Sequence, residues 1–103
     1  MALDIAVLGE NGEPERTVSV GANDHARLLS LVNDAELPLL SRLTEYYEDA
    51  EYAAGELDAL MGELDYLKVC VQSDADLVRL VAALVALVLS AKRSGRQIFA
   101  IAD

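Results

Sequence analysis

The chain has 103 residues, with eight Lys or Arg against eighteen Asp or Glu, one His, one Cys and no Trp. This length matches one ordinary domain that buries well over half of its unfolded surface, and 53% apolar residues with only five aromatic rings describe a Leu, Val and Ala core outside the disordered range. A net charge of −10 repels polyphosphate and anionic lipid, which argues against nucleic-acid and membrane partners, and the single Cys70 excludes an internal disulfide.

Met1-Ala2-Leu3-Asp4 has no basic segment leading into an apolar one, so the sequence reads as a soluble cytoplasmic protein. Residues 3–8 alternate Leu3, Ile5 and Val7 with Asp4 and Ala6, the period of a half-buried strand, and residues 16–20 alternate again. Gly9-Glu10-Asn11-Gly12-Glu13-Pro14 between them supplies turn residues, so the two strands form a hairpin. Asn23 or Asp24 then caps a first helix running to about Asn33, with His25, Leu28, Leu29 and Val32 on one face. Pro38 opens a second helix with Leu40, Leu43 and Tyr47 inward, ending near Asp49 or Ala50.

A third helix begins near Ala54 or Gly55 and carries the stripe Leu57, Leu60, Met61, Leu64, Leu67 and Val71, with Gly62 inside it as a site of close packing or a tolerated cost of about 1 kcal/mol. Ser73 caps a fourth helix, apolar on nearly every side from Leu77 to Ala91, closed by Lys92, Arg93 and Arg96 and stopped at Gly95. Its run Leu80–Leu89 is shorter than the roughly 20 residues that cross a bilayer. It reads as a central buried helix or, through Val78, Val85 and Leu89, as a homodimer contact. Residues 97–102 are β-prone and place a third strand beside the hairpin. The expectation is a single α+β domain over residues 1–103, a small three-stranded sheet with one face covered by about four helices in two layers.

Signals for catalysis are sparse. His25 and Cys70 fall in different predicted helices without metal-ligand spacing; His25 reads as a partly exposed helix residue and Cys70 as a small packing residue. Glu56, Asp58, Glu63 and Asp65 read as the solvated side of the third helix, opposite Leu57 and Leu60. The expectation is a protein that is not an enzyme and needs no cofactor or metal.

The strongest signal lies between Leu43 and Lys68. These twenty-four residues hold no Lys, Arg or His, but carry eight carboxylates and all four tyrosines. Clustered carboxylates steer a basic partner, and tyrosine offers rigid contact area with a polar tip. Glu45, Tyr46, Glu48, Asp49, Glu51 and Tyr52 are the candidate partner-binding residues; Tyr47 falls on the core stripe. Adjacent tyrosines flanked by carboxylates in a small acidic domain resemble the immunity proteins that neutralise bacterial toxins, particularly the inhibitors of colicin-type nucleases. That resemblance implies a basic cognate toxin blocked by direct contact, with Tyr46 and Tyr47 as anchors and Glu45, Glu48, Asp49 and Glu51 as charge partners. Those inhibitors are wholly helical whereas the ends of this chain read as strands, so only the style of binding carries over. The expected function is an inhibitor of a basic protein; the alternative is an oligomeric adaptor or regulatory domain assembled through the fourth helix.

Overall fold

The computed structural model describes residues 3–9, 11–32, 36–43 and 49–102, the side chain of Ala102 excepted. Alternation along β1 (Leu3–Leu8) sends Leu3, Ile5 and Val7 into the core, and the chain returns antiparallel as β2 (Pro14–Val20), in register from Leu3 opposite Val20 to Val7 opposite Arg16. The turn requires Gly12, at φ +80°, whose N–H donates to Gly9 O. Pro14 opens β2 on the edge of the sheet, where a missing N–H removes no ladder bond.

The first helix, α1 (Ala22–Leu29), starts after Gly21 without a side-chain cap and stops sooner than the apolar spacing predicted. Arg27 ties it to Asp24 and to Asp74, and the guanidinium holds the Asp74 carboxyl below the usual carboxylate range. The long helices α2 (Leu57–Cys70) and α3 (Ala75–Ser94) form a hairpin closed at its open end by Lys92 Nζ on Asp58 Oδ1, 2.5 Å. Asp74, rather than the expected Ser73, caps α3 by accepting from Asp76 N and Leu77 N. Gly95 ends α3 at φ +64°; its N–H donates to Lys92 O and that of Arg96 to Ala91 O, the Schellman pattern.

Two further strands complete an antiparallel sheet of order β2-β1-β4-β3: β4 (Ile98–Ala102), as expected, and β3 (Ala50–Tyr52), which was not. Leu3, Ile5, Val7, Val20, Tyr52, Ile98 and Ala100 join the buried faces of α2 and α3 in one core. The architecture is α+β, with four strands and three α-helices among the described residues.

The predicted second helix is the main departure. Residues 40–43 form only a turn of 3-10 helix, residues 44–48 lie outside the described residues, and β3 follows. The cause is a set of side chains remote in sequence that take the backbone groups of this segment. Glu63 accepts from Leu39 N and Leu40 N at 2.9–3.1 Å, the Tyr52 hydroxyl donates to Leu39 O at 2.7 Å, and His25 Nε2 donates to Leu43 O at 2.5 Å. His25 and Glu63 are therefore buried rather than solvated. Cys70 is exposed, not packed, and a Cβ on Gly62 would meet nothing within 4 Å, which leaves tolerance as its explanation. Among the described residues, no helix is long and apolar enough to cross a membrane.

Candidate functional site

The register of the sheet determines what lies on its outer side. Inward Leu3, Ile5, Val7, Ile98, Ala100 and Tyr52 leave Asp4, Ala6 and Leu8 of β1, Thr17 and Ser19 of β2, Phe99 and Ile101 of β4 and Glu51 of β3 on the opposite face. One row across the strands reads Thr17, Ala6, Phe99, Glu51 and the next Ser19, Asp4, Ile101. Directly opposed side chains lie about 5 Å apart at Cβ, which makes Glu51 and Phe99 cross-strand neighbours. Phe99 is half-buried and Ile101 is 40% exposed, while small Ala6 between Thr17 and Phe99 is covered.

Asp49 and Glu51 line one shallow depression with Phe99 and Ile101, and a second beside it with Arg42. The carboxylate of Asp4, one strand further in, accepts from Ser19 Oγ at 2.6 Å. The result is an apolar strip bordered by acids on the outer side of the sheet. It offers contact area to an aliphatic or aromatic side chain and charge to a Lys or Arg beside it.

Arg42 lines the second depression, and its charge is engaged. Its Nη1 and Nη2 meet Glu56 Oε1 and Oε2 at 2.9 and 2.5 Å, and Nη1 also donates to Glu51 O at 3.0 Å. This fork, with Ala53 N on Glu56 Oε1, lowers the Glu56 carboxyl to about 2. Glu51 belongs to the strand at the end of the sheet order, and Arg42 engages its backbone carbonyl as well as the Glu56 carboxylate.

The acidic tract divides on this fold. Asp49 and Glu51 line the same two depressions, both exposed. Glu45, Tyr46 and Glu48, and the core reading of Tyr47, lie outside the described residues. Tyr52 is a correction: its ring is 1% exposed, the Arg42 guanidinium sits 5.3 Å from its centroid, and its hydroxyl is spent on Leu39 O, so it supports the surface from beneath. Burial raises its phenol well above the ordinary value. Phe99, Ile101 and Asp4 were missed, although the alternation of residues 98–101 holds the signal: Ile98 and Ala100 inward leave Phe99 and Ile101 outward.

An apolar void of about 20 Å³ between the sheet and the α2–α3 hairpin is about the size of one water and presents it no polar surface. Among the described residues, no three His, Cys, Asp or Glu side chains are grouped to hold a metal. Comparison with known proteins finds no matching family model, no similar curated protein and no similar solved structure.

Proposed function

We propose that this chain is a non-enzymatic binding protein of the inhibitor or immunity type, which takes a basic partner, such as a bacterial toxin in the cytoplasm of the producing cell, on the acid-bordered outer face of its sheet. The observation that carries the reading is the placement of Asp49 and Glu51 in one depression with Phe99 and Ile101. Carboxylates alone favour solubility; carboxylates beside exposed apolar area favour a desolvated contact. In a two-layer arrangement the helices take one face of the sheet and leave this one for the partner. Glu45, Tyr46 and Glu48 belong to the same acidic tract of the sequence and remain candidate contacts in this reading.

The experiment compares two baits in a lysate of the source cells, at low and at moderate salt. The unaltered chain should retain basic proteins that moderate salt releases. A Phe99→Ser/Ile101→Ser chain, with an unchanged circular dichroism spectrum, should lose them. Capture of the same proteins by both baits would place the contact elsewhere and defeat the proposal.

A further inference from the structure

We infer that Glu56 is a positioning residue for the acid-bordered face: by holding Arg42, it keeps the chain's own cation off the Glu51 carboxylate and leaves that carboxylate to a cation of the partner. The inference rests on the proposed use of that face and adds to it a residue that lines neither depression.

Arg42 stands where an intramolecular competitor would stand. It lines the second depression with Asp49, Ala50 and Glu51, and its Nη1 donates to the Glu51 backbone oxygen at 3.0 Å. A guanidinium anchored on that peptide group is within side-chain reach of the same residue's carboxylate. A forked Arg–carboxylate pair there would cancel the charge offered to a Lys or Arg from outside. Arg42 also has structural work, since it lies over the Tyr52 ring and joins residues 40–43 to β3 and to the 3-10 turn Ala54–Glu56. The fold therefore keeps a cation at the border of an acidic face, and something must occupy it.

Glu56 is built for that task. Its two oxygens take both terminal nitrogens of Arg42, at 2.9 and 2.5 Å, so one partner satisfies the whole fork. Its Oε1 also accepts from Ala53 N at 3.0 Å, which fixes the carboxylate on its own turn. These bonds favour the charged form, so the clasp stays ionised throughout the neutral range. The Arg42–Glu56 pair is neutral as a unit, and the depression beside it keeps its acidic character.

Two readouts on the full chain test this, both below the melting temperature and with circular dichroism unchanged. The first is the NMR signal of the Arg42 Nε–H. Glu56→Gln keeps an oxygen for Ala53 N but gives up the charge, so Arg42 should turn to Glu51; adding Glu51→Gln should then move the signal more than it does with Glu56 in place. The second is an octa-arginine peptide at low salt, followed at the Phe99 and Ile101 signals. It should bind Glu56→Gln at least about threefold more weakly than the unaltered chain, and Arg42→Met/Glu56→Gln should regain the affinity. Asp65→Asn removes the same charge from α2 and should weaken the peptide less. An Arg42 signal equally indifferent to Glu51 in both backgrounds, no peptide response at Phe99 and Ile101, a loss no greater than that of Asp65→Asn, or no recovery with Arg42→Met would each overturn the inference. Neither readout uses the natural partner, so lysate capture that ignores Phe99 and Ile101 would defeat the proposed function and leave both results as they stand.

Discussion

Replacing Tyr52 by Phe separates a buried support from a partner-facing anchor. The hydroxyl donates to Leu39 O at 2.7 Å, and that carbonyl also accepts from Arg42 N at 3.2 Å, so the substitution weakens its pairing without leaving the oxygen orphaned. The cost is therefore near the ordinary net value of a buried hydrogen bond, about 1 kcal/mol, not the larger penalty of a stranded acceptor. For a domain of this size that is a fall in Tm of about 4–8 °C. Removing the ring as well, in Tyr52→Ala, costs about 3–5 kcal/mol more, comparable with the whole stability of a small domain. Urea unfolding reads both as shifts in midpoint at constant slope, and partner binding by Tyr52→Phe should be unchanged. An unaltered midpoint together with lost binding would return Tyr52 to the surface and refute this account of β3.

Glu63→Leu strips the acceptor from Leu39 N and Leu40 N, and should cost about 2–4 kcal/mol by urea unfolding, with Glu63→Gln, which keeps one oxygen, at roughly half of that. Acid should loosen the Arg42–Glu56 fork: the folded carboxyl lies near 2 and its ordinary value is 4.5, so its stabilisation is complete above pH 4.5 and disappears as the pH falls toward 2. Urea midpoints measured over that window should slope less in Arg42→Met than in the unaltered chain. At the alkaline end Tyr52 acts in the opposite sense, since its raised phenol contributes stability below pH 10 that is lost as the pH climbs toward the folded value; Tyr52→Phe should flatten that decline. Cys70→Ser should change stability by less than about 0.5 kcal/mol, because the side chain is exposed.

Elements that depend on local pattern are legible in the sequence. The hairpin, the stripes of α2 and α3, the Gly95 stop and the final strand each follow from period, turn residues or caps within a few positions. The segment 37–43 was not legible, because its conformation depends on partners far along the chain. Glu63, Tyr52 and His25 bond its backbone across separations of 13 to 24 residues, and their side chains override a helical pattern begun by Pro38 and Leu40. At three residues, Ala50-Glu51-Tyr52 is too short for alternation to register, and it exists as a strand because β4 offers a ladder. The site divides the same way: the charge of Asp49 and Glu51 was visible, whereas their neighbours Phe99 and Ile101, about fifty residues further along the chain, required the sheet order.

The most direct test of the acid-bordered face is the association and dissociation kinetics of a captured partner against three chains, the unaltered protein, Phe99→Ala and Asp49→Asn/Glu51→Gln, across ionic strength. If the face is the contact, Phe99→Ala should speed dissociation about tenfold, equivalent to about 1.4 kcal/mol, with little change in association. The doubly neutralised chain should instead associate more slowly at low salt and converge on the unaltered protein as salt screens the difference. Three superimposable sets of rates, with the same salt response, would show that the partner binds elsewhere and contradict the proposed function.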